Sequence, residues 1–268
     1  MKPEEADSVP VRKNQIKTGV YYGMASNSIT VYGSYLEYQR SLNKSTFIDI
    51  KLTSISQNGN GISTFGISDA IVNTTYKTNG NLTLSAGLKV PLNDADKTLN
   101  GLPLPMDYQS SLGTLDLIIG VGYSFGRLQL VAGLQQPVSQ NNNGFISNSY
   151  PEGSLLRKFK STNDFERSGD ILLRASYPLH LSHKLKLTPS ILPIYHLSND
   201  SYTDINGKKK EIIGSQGLTL NGNIFIDVDF NTRNSIQFNV GMPFITREVR
   251  PDGLSRSFVA NLEYRVRF

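Results

Sequence analysis

Along nearly the whole chain, apolar and polar residues alternate with a period of two, the spacing of a strand that keeps one face dry. The last segment shows it most plainly: Phe258, Ala260, Leu262, Tyr264, Val266 and Phe268 face one way, and Ser257, Val259, Asn261, Glu263, Arg265 and Arg267 the other. Similar alternation marks Leu115–Phe125, Ile171–Leu179, Leu218–Phe230 and Ile236–Phe244. The helical period of 3.6 is hard to find anywhere. The pattern predicts twelve strands near 15–25, 29–41, 45–57, 63–77, 80–92, 113–125, 127–138, 168–180, 183–198, 216–230, 233–245 and 255–268. Most exceed the ~5–6 residues of a globular strand and reach the ~9–11 needed to cross a bilayer at a tilt.

The connections carry as much information as the strands. The second, fourth, sixth, eighth and tenth are tiny, centred on Asn79, Gly126, Ser182 and Thr232-Arg233 among others, whereas 93–112, 139–167, 199–215 and 246–254 are long. Short turns on one rim and long loops on the other describe a bacterial outer-membrane barrel with its turns in the periplasm. The expected fold is all-β: a transmembrane, antiparallel, up-and-down β-barrel of about twelve strands over 15–268, preceded by a periplasmic segment 1–14. The first connection, near Asn27, is short, so ten or fourteen strands remain compatible with the pattern.

Composition alone points elsewhere: 18% charged, 38% apolar and a mean hydropathy of −0.27 suggest a soluble protein. A membrane barrel averages out in the same way, because lipid-facing and lumen-facing residues alternate. A soluble sandwich or lipocalin-like barrel also alternates. Two features favour the membrane: nearly every strand has a uniformly apolar face, more than one small core can absorb, and the opposite face carries charges deep within strands. Tyr123, Phe125, Phe230 and Phe268 near strand ends suit interfacial girdles, although tryptophan is absent. There is no cysteine, which excludes disulfides and thiolate metal sites. The net charge of +5 is scattered, and its densest run, Lys208-Lys209-Lys210, falls in a loop, so nucleic acid is not an expected partner. No apolar leader follows Met1-Lys2, and the residues are read as those of a mature exported chain.

The ending Leu262-Glu263-Tyr264-Arg265-Val266-Arg267-Phe268 resembles the C-terminal signal of bacterial outer-membrane barrels, an alternation finishing in an aromatic. That resemblance implies delivery to the barrel-assembly machinery and residence in the outer membrane. A second stretch, Gly66-Ile67-Ser68-Asp69-Ala70 followed by Leu82 to Leu92, is similar to the outer-membrane "transporter" barrels named after the meta-pathway of phenol degradation. Those show Gly-Leu-Gly-Asp and a Lys-x-Pro-x-Gly stretch; here Ile67 and Ser68 intervene, and no glycine follows Pro91 at the required place. The resemblance implies uptake of small, often apolar compounds and supplies no site residues.

Among chemical motifs, Tyr195-His196-Leu197-Ser198-Asn199 is the sharpest. A His and a Ser two residues apart on a strand share a face, as in outer-membrane lipid acyl hydrolases, where the imidazole takes the serine proton. The strand's apolar side, Leu185, Leu187 and Ile191, puts His196 and Ser198 on the lumenal face, away from lipid. The plainer reading is a hydrogen-bonded pair at the mouth. His180 and His183 flank a turn without a third ligand, so no metal site is expected. Asp204-Ile205-Asn206-Gly207 lacks the ligand spacing of a calcium loop and reads as a turn. Gly120-Val121-Gly122 sits in a strand, where its glycines relieve crowding inside the barrel.

Expected lumen-lining residues are Asp49, Lys51, Asp69, Lys89, Asp116, Asp170, Arg174, Lys186, Asp227, Asp229, Glu263, Arg265 and Arg267. Their signs are mixed, so no ion preference follows; paired across the lumen they would plug it. Residues 102–108 and 145–159 are unusually apolar for exposed loops. Leu104, Met106, Tyr108, Phe145, Tyr150 and Phe159 are therefore expected to line an entry site, to fold inward as a plug or to contact a partner. The leading functional expectation is a passive channel for small solutes, apolar ones included, without enzyme activity, cofactor or metal. The alternatives are a non-conducting subunit of an outer-membrane assembly, contacting outer-membrane or periplasmic proteins through its loops or residues 1–14, and a lipid acyl hydrolase using His196 and Ser198.

Overall fold

The computed structural model describes residues 13–25, 27–253 and 257–268. Residues 1–12 of the expected periplasmic segment lie outside the described residues. Twelve long strands form: Asn14–Met24 (β1), Thr30–Ser41 (β2), Thr46–Gly59 (β3), Ile62–Lys77 (β4), Leu82–Pro91 (β5), Asp116–Phe125 (β6) and Leu128–Pro137 (β7), then Asp170–Ser176 resuming as Leu179–His180 (β8), Leu185–His196 (β9), Gly217–Asp229 (β10), Asn234–Ile245 (β11) and Phe258–Arg267 (β12). Each pairs antiparallel with its neighbours in sequence, and β12 returns to pair with β1 from Gln15↔Arg267 to Met24↔Phe258. Closure leaves no unpaired edge. Among the described residues no helix is long and apolar enough to cross a membrane, and the crossing elements are strands. The predicted ends agree with these within three residues.

Alternation sorts the side chains as the sequence implies. Val20, Leu36, Ile67, Leu88, Ile119, Leu173, Ile191, Ile224, Phe238 and Leu262 point outward and are exposed, an apolar belt that only lipid can cover. The short turns share one device. Asn43 accepts from the amides of Ser45 and Thr46, Ser182 from those of Lys184 and Leu185, and Asn231 from those of Arg233 and Asn234. A side-chain oxygen closing the turn in this way fixes hairpin register locally. The third connection shares the rim of the long loops, yet it is only Asn60-Gly61, both at positive φ (52° and 76°), a two-residue hairpin turn.

Over that rim the long loops fold onto one another. Leu104, Tyr108, Phe145, Tyr150, Leu156 and Phe159 join Ile29 and Val31 in one core; Ala95, Met106, Leu112, Phe165 and Ile212 form a second. The loop after β7 is tied to the loop after β5 by asparagines. Fully buried Asn143 donates to the carbonyls of Ala95 (2.8 Å) and Leu104 (3.0 Å) and accepts from the Phe145 amide and the Thr162 hydroxyl. With every polar atom paired, the asparagine costs little to bury. Gln57 on the wall donates to the Gln109 carbonyl, and Asn60 donates to the Tyr108 hydroxyl, anchoring the loop core to β3 and its turn.

Candidate functional site

The inward face divides into two unlike halves. From β9 through β12 and on to β3, it carries a mesh of charges and hydrogen bonds. Asp227 meets Lys186 (3.2 Å), Arg265 (2.9 Å) and Gln237 (2.7 Å); Arg265 also reaches Glu263; Arg267 lies 3.9 Å from Asp229; and Lys17 pairs with Glu37. Tyr35 donates to Glu263 across β1, and the Lys51 ammonium sits 3.9 Å above the Tyr35 ring. Asn73 donates to Asp49, and Arg174 stacks toward Phe225. Among the described residues these pairs join strands that are neighbours or next neighbours, so they run along the wall. They do not bridge the lumen, as pairs that plugged it would.

The other half, β4 to β7, sets the small side chains Thr75, Thr83, Ser85, Gly87, Gly120, Gly122 and Gly133 among the larger Ile71, Asn73, Ile118 and Val131. These positions stay partly exposed, so water reaches them. At the loop end of this half lies a compact cluster. The fully buried Asp116 accepts from the Thr114 hydroxyl (2.6 Å) and from Gln135, and it faces Lys89 at 3.3 Å. Lys89 also donates to the Thr114 carbonyl and stands 4.0 Å from Asp69, which accepts from Ser111 at 2.6 Å. A β-bulge opposite Thr53 turns Asp69 toward this cluster.

A second cluster closes the mouth over β8 and β9. The His196 ring is buried with Nδ1 2.7 Å from Asp170 and Nε2 2.8 Å from Asp200. Arg167 pairs with Asp170 and approaches Asp252 at 3.6 Å; Arg247 pairs with Asp252 at 2.6 Å and lies 3.9 Å from Asp200. Burial alone would raise the Asp252 carboxyl, but Arg247 and Arg167 outweigh it and hold it below its ordinary value. Sequence reasoning named Asp170 and His196 but missed Arg167, Asp200, Arg247 and Asp252, which lie on three separate loops. Ser198 is exposed, and its hydroxyl bonds to Ser168. The structure therefore does not join Ser198 to His196, both of whose nitrogens are taken.

Beneath the mouth lie two cavities. One, of about 360 Å³, is bounded by this cluster, by the amides and hydroxyl of Gln135, Asn221, Asn223 and Thr219, and by apolar Leu172, Ile194, Pro243 and Val259. The other, of about 220 Å³, lies against Asp69, Lys89, Gln57 and the loop residues Met106 and Gln109. Gln135 and Asp252 border both. The six loop residues singled out in the sequence, Leu104, Met106, Tyr108, Phe145, Tyr150 and Phe159, are all buried in the two loop cores, and only Met106 touches a cavity. No group of three or more His, Asp or Glu side chains suited to a metal ion occurs among the described residues.

No family model and no curated protein matches the chain. Solved structures do. The COG4313 outer membrane channel from Pseudomonas putida F1 superposes over 100% of both chains with a TM-score of 0.67 at 15% identity. The fold is that of a bacterial outer-membrane barrel. The NanC porin matches over 95% of this chain and 98% of its own (TM-score 0.51, 9% identity), and the translocator domain of the autotransporter NalP from Neisseria meningitidis over 98% and 90% (TM-score 0.50, 12% identity). The closed outer-membrane barrel and its apolar belt place the chain in the bacterial outer membrane, with acyl chains against the outward residues and water within.

Proposed function

We propose that the protein is a passive outer-membrane channel for small solutes whose mouth is closed at rest by its own loops. The observation that carries this reading is the water-reachable strip of small residues along β4–β7, lying beneath a closure held by side-chain packing, hydrogen bonds and ion pairs. The larger cavity combines Leu172, Ile194, Pro243 and Val259 with amides and a hydroxyl, which suits a small molecule with an apolar body and a polar group. The likeness to structures described as a channel and a porin supports the same reading. β12 occupies the seam against β1, where the C-terminal alternation ending in Phe268 would serve as the assembly signal. With His196 held by two carboxylates and Ser198 on Ser168, the hydrolase reading gains no support.

Planar-bilayer recording tests the proposal. Phe145→Ala removes a fully buried ring from the loop core, a loss of about 3–5 kcal/mol for such a truncation, and is expected to convert rare conductance steps into frequent ones. Silence from both proteins, with the barrel folded, would overturn the channel reading and favour a non-conducting subunit.

A further inference from the structure

His196 stands at the end of β9 with a carboxylate oxygen at each ring nitrogen: Asp170 of β8 at Nδ1 and Asp200 of the loop after β9 at Nε2. A neutral imidazole carries one N–H and one lone pair; only the imidazolium donates from both nitrogens. The two carboxylates are themselves tied into the mouth. Asp170 is bound by Arg167 of the loop after β7. Asp200 accepts from the Ser168 amide (2.9 Å) and faces Arg247 of the loop after β11, which pairs in turn with Asp252. One ring thus joins the wall to the loops after β7, β9 and β11.

We infer that His196 is a proton-operated latch: as the imidazolium it locks these three loops over the lumen, and loss of one ring proton at alkaline pH releases them. The neutral ring can donate to only one carboxylate. The other oxygen then faces a nitrogen lone pair on an almost wholly buried ring, where repulsion replaces a charge-assisted hydrogen bond. The charges around the ring are Asp170 from β8, Asp200 from the loop after β9 and Arg247 from the loop after β11, with Arg167 and Asp252 behind them. Arg250 and Asp107 lie beside Asp252, so with the imidazolium four cations balance four carboxylates once Asp107 is ionised. Without it, one negative charge is left over in a buried cluster, and opening the loops to water relieves it.

Thiol labelling tests the latch cleanly, because the chain has no cysteine of its own. Ile212→Cys puts a thiol in a buried loop position whose backbone amide donates to the Asp200 carbonyl. Lys44→Cys, on an exposed turn of the opposite rim, corrects for the pH dependence of thiol chemistry itself. In the folded barrel in lipid vesicles, the ratio of the two labelling rates is expected to rise roughly tenfold to a hundredfold from about pH 6 to about pH 10, the effect of losing one charged hydrogen bond. With His196→Gln the ratio should be high throughout. With Asp170→Asn, whose amide can donate to Nδ1 of the neutral ring while its oxygen still accepts from Arg167, it should stay low to the alkaline end. A flat ratio in the parent protein, or an unchanged rise in His196→Gln, overturns the latch. Labelling reads loop opening whether or not the lumen conducts, so its failure and that of the channel proposal are distinct.

Discussion

Gly19 and Tyr35 face each other in the β1–β2 register, and the absence of a side chain at Gly19 lets the Tyr35 ring lie flat across β1 to reach Glu263 on β12. A Cβ at Gly19 would stand 2.3 Å from the ring Cζ and 2.5 Å from the hydroxyl, far inside van der Waals contact, and the ring fills the space on a wall that cannot give way. Gly19→Ala must therefore swing Tyr35 off the wall. The loss comprises the hydrogen bond to buried Glu263, about 1.5–3 kcal/mol for a charged acceptor, and the contact of Lys51 with the ring face, about 0.5–1 kcal/mol. Arg265 still faces Glu263, which caps the damage, so about 2–4 kcal/mol is expected. Urea unfolding of the barrel in lipid vesicles measures it, with Tyr35→Phe as the control: that change keeps the ring on the glycine and forfeits only the hydroxyl's bonds to Glu263 and Asn261, so it should cost less. If Gly19→Ala unfolds within about 0.5 kcal/mol of the parent, or Tyr35→Phe proves the more damaging, the bridge over the glycine does not hold this part of the wall.

Two further outcomes follow from the mouth. Lys89→Met leaves buried Asp116 and half-buried Asp69 without their shared cation; losing one member of a buried pair costs about 3–5 kcal/mol, and Lys89→Met with Asp116→Leu should regain part of it in the same unfolding assay. Partial burial pushes the Asp107 carboxyl up to about 7, with nearby Asp252 adding to the rise. Because the folded form then binds more protons than the unfolded one, closure should weaken as pH rises from about 4 to about 7 and level off above it. Limited proteolysis of the loops across that window should show the drift, and Asp107→Asn should abolish it.

The strands and their faces were legible because lipid imposes one rule on every outward position, and a period of two obeys it without reference to anything distant. Where the sequence breaks the rule, the structure shows a reason. Val31 and Ile55 are apolar on the otherwise polar face, and they are the seat on which the loop core rests. Gly19 and Gly33 leave gaps in the inward face, which Tyr35 and Tyr21 fill from the facing strand. These signals were present but need the cross-strand register to be interpreted. The mouth cluster was not legible at all beyond Asp170 and His196. Arg167, Asp200, Arg247 and Asp252 come from three loops with no periodicity, and their meeting is fixed by tertiary packing. The apolar loop residues announced themselves by composition, but composition alone could not separate a surface that greets a solute from a core that closes the way.

The barrel and its mouth are therefore stabilised by different physics. In the wall, outward side chains gain little further by packing on one another once they sit in lipid, so specificity comes from backbone pairing and from the polar mesh inside. The loop cores stand on the rim, beyond the belt, where the ordinary hydrophobic effect applies and burial of Tyr108, Phe145 and Phe165 is worth its full value. The wall withstands changes in the surrounding solution because its backbone is paired strand to strand around the closed barrel. The mouth answers to that solution because its ties to the wall are side chains, several of them titratable. The proposed channel, which must persist in a membrane yet open on demand, needs this division, and His196, Lys89 and Asp107 lie along the line where the two regimes meet.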